Sequence, residues 1–173
     1  EESSFKSVMA TCDFNATMDQ LLAVLLDVDR HEEWVYSTKA SRILKKNADN
    51  DIVFYAEVKT PWPLTNRDYI AHMVATSPSP GTVIIESHAE PNDLPVNKDK
   101  VRVIHSDSRW VITTTGNNML HAVYTVRFDP AGSVPAWLTN MFLTDGPFET
   151  FKHLRERVRM PIYQNAHYDF IKH

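Results

Sequence analysis

Apolar and polar residues alternate one by one over residues 5–14. Val8, Ala10, Cys12 and Phe14 fall on one side, with Met9, Thr11 and Asp13 on the other. A period of two predicts a strand with one buried face. The pattern then changes. Thr17, followed three residues later by Gln20, forms a capping box, and Met18, Leu21, Leu22, Leu25 and Val28 recur at helical spacing behind it. Asp29 and Glu32 open a second short helix that ends near Trp34. Alternation returns over 40–46, 51–59, 67–76, 82–88, 101–114 and 119–128. Ile52, Phe54, Ala56 and Val58 oppose Val53, Tyr55, Glu57 and Lys59. Leu120, Ala122, Tyr124, Val126 and Phe128 oppose Met119, His121, Thr125 and Arg127. Asp49-Asn50 and Gly116-Asn117-Asn118 have the composition of tight turns. The connections are too short to hold crossover helices, so the strands must pair antiparallel.

Two segments interrupt this series: residues 60–66 (TPWPLTN) and the polar stretch 90–100 with Pro91 and Pro95. The last segment is helical. Ser133 is the expected N-cap, Pro135 sits in the first turn, and Trp137, Met141, Phe148, Phe151, Leu154 and Val158 keep one stripe. A helix over 133–160 would run about 40 Å. Pro147 cannot donate to the carbonyl of residue 143, which predicts a kink or break there. The order is strand, two short helices, six strands, long helix. It predicts an α+β fold in one domain, 1–173: a curved antiparallel seven-stranded sheet wrapped around the long C-terminal helix. A straight helix cannot touch a curved sheet everywhere, and the gap is a natural place for a ligand cavity.

Composition adds exclusions. Hydrophobic residues make up 43% and charged residues 23%, an ordinary globular balance. The net charge of −4 gives no hint of the basic face that a nucleic-acid binder shows, and the eight His residues can change that charge below about pH 6.5. Cys12 is the lone cysteine, so no internal disulfide and no CxxC pair exists; its parity makes it a small buried apolar residue. No apolar run approaches the roughly 20 residues of a bilayer span, so a soluble monomer is expected. The chain begins with Glu1 and reads as a processed or trimmed product, either cytoplasmic or exported after signal removal.

Residues 60–69 (TPWPLTNRDY) and 129–138 (DPAGSVPAWL) resemble signature segments of START domains, the StAR-related lipid-transfer family, in its bacterial form. The likeness continues through Asn140, Asp145, Gly146, Pro147, Phe148 and Phe151. It also includes residues 22–34 (LAVLLDVDRHEEW), which resemble the family's paired helices. The resemblance implies a helix-grip fold with an internal tunnel for a sterol, phospholipid or other apolar ligand. It implies a gate formed by the C-terminal helix and the 60–66 loop. Two departures follow from it. The family's N-terminal helix and two further strands are expected to be absent, leaving that edge of the cavity more open. The charged pair that some sterol-binding members place in the tunnel aligns with Phe54 and Met73, which makes this tunnel more apolar and argues against carrying over sterol specificity.

Catalytic chemistry is not signalled. There is no GxSxG, GxGxxG or P-loop. His31-Glu32 begins like HExxH, but Val35 stands where the second His belongs. His105-Ser106-Asp107 are consecutive on a predicted strand and would point to alternating faces. No catalytic residue, cofactor or metal is therefore expected. The candidate ligand-contacting residues are Phe54, Trp62, Ile70, His72, Trp110, Tyr124, Trp137, Met141, Phe148 and Phe151. For the helical stripe among them, plain core packing is the competing reading. His72 shares parity with Ile70 and Val74, and Glu86 with Ile84, which predicts both polar groups on the inner face. Arg67 and Asp68 read as a structural pair tying the gate loop to the sheet. Trp62, held stiffly between two prolines, either packs on the terminal helix or makes a transient contact with a membrane interface. A lipid carrier is the leading expectation. A polyketide cyclase or aromatase-like enzyme using the same cavity, and a lipid sensor without transfer, are the alternatives. Convergence of two or more titratable side chains inside the cavity would favour the enzyme.

Overall fold

The computed structural model describes residues 6–131 and 134–172. The elements run β1 (Lys6–Asn15), α1 (Met18–Leu26), a 3₁₀ turn (Val28–Glu33), β2 (Thr38–Ala48), β3 (Asp51–Val58), β4 (Arg67–Ser79), β5 (Thr82–Ala89), β6 (Val101–Arg102), β7 (Ser106–Gly116), β8 (Met119–Phe128), α2 (Ala136–Asn140), a π-helical turn (Met141–Asp145), α3 (Gly146–Arg157) and a final 3₁₀ turn (Pro161–Tyr163). Seven strands form one antiparallel path in the order β1-β8-β7-β5-β4-β3-β2. This is the α+β arrangement of antiparallel sheet and C-terminal helix that the alternation implied, and the helix-grip fold that the resemblance implied.

The ends of α1 show why the chain turns where it does. The Gln20 N–H donates to Thr17 Oγ1 at 3.2 Å, and the Thr17 N–H donates back to Gln20 Oε1 at 3.0 Å. Leu21, Leu22, Val24 and Leu25 then enter the core together with Phe14, Phe54, Ile85, Ile112, Leu120 and Leu154.

The predicted strand over 101–114 is two strands. β6 is a two-residue ladder parallel to β4, the one exception to antiparallel pairing among the described strands, and β7 starts afresh at Ser106. Arg102 is the cause. Its guanidinium forks onto Asp68 at 2.8 and 3.1 Å and also donates to the carbonyls of Pro91, Leu94 and Pro95. That grip folds the 90–100 loop back on β4 and redirects the chain.

The predicted helix over 133–160 is also divided. Its expected N-cap, Ser133, lies outside the described residues. Pro147 falls in the first turn of α3, where a missing N–H is harmless, and the ladder before it widens into the π-helical turn. The far end of α3 is anchored. Arg157 Nη1 lies 2.6 Å from Glu33 Oε2, its Nε donates to the Tyr163 hydroxyl at 3.3 Å, and that hydroxyl donates to Asp27 at 2.8 Å. The chain beyond is stitched back to the rest of the fold: the Tyr168 N–H donates to Asp19, and the Lys172 N–H to Ser77.

Candidate functional site

A cavity of about 230 Å³ lies between the inner face of the sheet and the helical segment that crosses it. Phe54 and Val58 line it from β3, Tyr69, Ala71 and Met73 from β4, and Ile85 and Ser87 from β5. Ser106, Ser108 and Trp110 come from β7, and Tyr124, Val126 and Phe128 from β8. The lid supplies Phe142, Leu143, Gly146, Pro147, Thr150 and Phe151, while His31, Trp34 and Tyr36 close one end. The rings are in contact. Trp110 stands 4.5 Å from Tyr124 and 5.4 Å from Phe151, and His31 meets Trp34 edge-on at 5.2 Å and Phe54 at 5.9 Å between centroids. Among the described wall residues there is no Asp, Glu, Lys or Arg.

Three titratable groups on the wall, Tyr69, Tyr124 and His31, are held neutral. Burial pushes the Tyr69 phenol well above its usual range, helped by the neighbouring Tyr124. Burial also pushes Tyr124 up to about 12, against a hydrogen bond with Ser108 that pulls the other way. Burial depresses His31 to about 4, opposed by the Leu25 carbonyl and Asp27. With Nε2 donating to that carbonyl at 2.9 Å, neutral His31 keeps Nδ1 unprotonated.

This last shift has a measurable consequence. The unfolded chain binds a proton on His31 below about pH 6.5, whereas the folded chain binds it only near pH 4. Stability is therefore complete above pH 6.5 and falls as pH drops toward 4, by on the order of 3 kcal/mol for this residue. His31→Gln should flatten the rise of urea midpoints between pH 5 and 7; an unchanged slope would exclude His31 as its source.

The structure distributes the sequence-predicted residues unevenly. Phe54, Trp110, Tyr124 and Phe151 stand on the wall, as does Met73. Ile70 and His72 do not, because β4 presents Tyr69, Ala71 and Met73 inward. Ile70 is fully buried yet outside the main core cluster, with its carbonyl accepting from the Glu90 N–H. His72 Nε2 lies 2.6 Å from Asp51 Oδ1, and Nδ1 3.4 Å from Glu90 Oε1. Both faces of β4 are covered, so apolar parity could not tell inside from outside. Glu86 is likewise outward, beside Arg109 at 3.2 Å. On the lid, the π-helical turn shifts the helical phase. Phe142, Leu143, Pro147 and Phe151 turn inward, while Trp137 is 49% exposed, Phe148 is 70% exposed and Met141 is off the wall.

Trp62 is 91% exposed and does not pack on the terminal helix. Arg67 and Asp68 are not partners of each other: Asp68 pairs with Arg102. The Arg67 guanidinium donates instead to the Thr65 carbonyl at 2.6 Å and the Pro130 carbonyl at 3.2 Å, tying the 60–66 loop to the segment that leads into α2. The loop is also held through Asn66, which donates to Glu57 at 2.9 Å. Burial would raise Glu57, but its bonds to Lys100, Lys39 and Asn66 outweigh this and hold it at about 2.

Sequence reasoning missed His31, Tyr69, Ser87, Ser106 and Ser108 as wall residues. The parity of β8 extended across the register would have found Ser108 and Ser106, which pair with Val126 and Phe128. A second depression of about 490 Å³ lies between β1 and α3, lined by Thr11, Cys12, Phe148 and Phe151 with Lys152, Arg155, Glu156 and Arg159. Its charged rim and lack of a continuous apolar wall make it a surface groove rather than a ligand chamber. Among the described residues no helix is long and apolar enough to cross a membrane, and no cluster of three or more His, Cys, Asp or Glu could hold a metal ion.

The START domain family model matches residues 5–161. The chain belongs to the START family. An uncharacterized protein of Pseudomonas aeruginosa is 31% identical over 88% of this chain and 75% of its own length. The bovine phosphatidylcholine transfer protein is 27% identical over 74% of this chain and 61% of its own length. The mouse START domain-containing protein 10 is 28% identical over 96% of this chain, which spans 57% of that relative. Among solved structures, the STAR-related lipid transfer protein from Xanthomonas axonopodis superposes with a TM-score of 0.80 at 26% identity, covering 92% of this chain and 97% of that one. Human STARD10 shares the fold at a TM-score of 0.74 and 21% identity, covering 91% of this chain and 70% of that one.

Proposed function

We propose that this START domain binds a lipid or similar apolar small molecule in the cavity and carries it between membranes, acting as a monomer. The observation that carries this reading is the ring-lined chamber, free of Asp, Glu, Lys and Arg among its described wall residues, beneath a helix interrupted by a π-helical turn. Burying about 200 Å² of apolar ligand surface would contribute roughly 5 kcal/mol, enough for binding without any covalent or ionic contact. The names of the relatives agree with it: a phosphatidylcholine transfer protein and a STAR-related lipid transfer protein. Native mass spectrometry followed by denaturing extraction tests it. A co-purifying lipid, or uptake of one from mixed vesicles, is the expected result. A chain that stays empty in both would overturn the reading.

The gate in this proposal is the lid over 141–150 together with the 60–66 loop. The lid is held to the wall by few polar contacts: the Tyr36 N–H donates to Thr150 Oγ1 at 3.1 Å, and His153 Nδ1 meets the Trp34 carbonyl at 3.2 Å. Thr150→Val leaves that N–H without an acceptor in the closed state, a penalty of about 1–3 kcal/mol that opening relieves. Stopped-flow uptake of a fluorescent lipid should therefore accelerate several-fold; an unaltered rate would remove Thr150 from the gate. Trp62 stands ready to enter a membrane interface, where an indole is favoured. Trp62→Ala should reduce co-flotation with vesicles and slow vesicle-to-vesicle transfer several-fold, without changing affinity for a soluble lipid analogue. If flotation and transfer both match the wild type, the loop does not touch the membrane.

The convergence of His31, Tyr69 and Tyr124 on the cavity is the observation that would favour an enzyme. Their ionisation argues against it: a histidine near 4 and two phenols well above neutrality are poorly matched to proton transfer at neutral pH. They serve better as neutral hydrogen-bonding groups.

A further inference from the structure

We infer that the cavity selects an uncharged amphiphile, an apolar body bearing one hydroxyl, carbonyl or ester oxygen held by the Tyr124–Ser108–Ser87 hydroxyls, and that it rejects a phosphate or carboxylate head. This rests on the lipid-binding reading above and narrows it.

The wall dictates the charge. A phosphate or carboxylate drawn into a chamber without a cationic side chain loses its hydration and gains no ion pair, which strongly disfavours entry. Among the described wall residues no Lys or Arg is available for that pairing, and His31 is held neutral. An ammonium head could rest on the aromatic faces, so the anionic group is the one the wall cannot serve.

The register dictates the head contact. Ser87 and Ser108 are direct partners across β5 and β7, so both hydroxyls rise from the same patch of the inner face. The Ser108 hydroxyl lies near enough to Tyr124 to lower its phenol against burial, and Trp110, two residues further along β7, is the direct partner of Tyr124 on β8. Three adjacent hydroxyls can each donate and accept, which fits a hydroxyl or a carbonyl oxygen equally. The wall around them is mostly apolar, from Met73 on β4 to Phe151 on the lid, and its other polar groups, among them Ser106, Tyr69 and Thr150, are uncharged.

Size points the same way. At about 230 Å³ the chamber is smaller than the roughly 300–1,000 Å³ of typical small-molecule pockets. It suits one compact or single-chain body better than a two-chain phospholipid.

The test uses one tail with four ends. Pyrene-labelled probes on the same long alkyl tail, ending in methyl, hydroxyl, carboxylate or phosphocholine, are titrated into the purified chain at neutral pH by fluorescence. The alcohol should bind at least about tenfold more tightly than the carboxylate or phosphocholine probe, and more tightly than the alkane. Tyr124→Phe with Ser108→Ala should erase the preference of alcohol over alkane. Ser87→Ala, read by the same ratio, replaces that variant if it does not fold. Phosphocholine binding as tight as the alcohol overturns the head selection and leaves lipid binding standing. An alcohol preference that survives the variants overturns the assignment to this cluster. No binding by any probe, the alkane included, overturns this inference and the lipid-binding reading together.

Discussion

Arg102→Ala should destabilise the fold by about 3–5 kcal/mol, a large share of the 5–15 kcal/mol that holds a domain together. Arg102 and Asp68 are among the most deeply buried ions in the chain, with side chains 5% and 1% exposed. Removing the guanidinium leaves the Asp68 carboxylate without its forked partner. It also strands three loop carbonyls, those of Pro91, Leu94 and Pro95. For a chain of this length the thermal midpoint should drop by about 10 °C or more. The double variant Arg102→Ala/Asp68→Ala should lose less than the sum of the singles, because the stranded charge is gone. Urea denaturation decides the matter. A single-variant loss below about 1 kcal/mol would mean that water, and not the pair, stabilises Asp68.

Ser87→Trp should lower lipid uptake at least about tenfold while the chain stays folded. Ser87 stands on the cavity wall near the end of β5, and an indole placed there projects into a chamber of about 230 Å³. An aromatic residue suits a strand, and the void receives it without the strain of overpacking a filled core. Uptake of a pyrene-labelled alcohol, read beside the far-ultraviolet circular dichroism, checks it. Full uptake by a folded variant would place the ligand somewhere other than this chamber, the groove between β1 and α3 being the next site to examine.

Much of this architecture could be read from the residues, because each local signal had a single physical meaning. The capping box at Thr17 and Gln20 and the parity of β3 and β8 each name one conformation. The site was legible where the alternation of a strand has one buried face, as at Tyr124 on β8. On β4 the alternation failed. The loop gripped by Arg102 returns over the outer face and buries Ile70 as thoroughly as the inner face buries Ala71. A loop that returns to cover a strand is a long-range event, and no window of neighbouring residues reports it. The lid failed for a different reason. One π-helical turn shifts the helical phase, so a single-period stripe drawn from Phe151 and Leu154 back to Met141 and Trp137 does not stay on the sheet side. The serines escaped notice because they are polar residues in an apolar chamber, and hydrophobic patterning discards them by construction.

The anchoring of α3 at Arg157 makes that helix a lever with a fixed fulcrum. Its twelve residues span about 18 Å. A rotation of about 10° about the Arg157 end would lift the Gly146 end by about 3 Å while leaving the Glu33 and Tyr163 contacts nearly in place. The chamber is then a volume with an elastic ceiling rather than a mould. Under the proposed function, a slightly larger guest would be accommodated at a graded energetic cost that rises with lift. On the same reading, discrimination by length would be soft, whereas discrimination by charge, set by the stationary walls of the sheet, would be sharp.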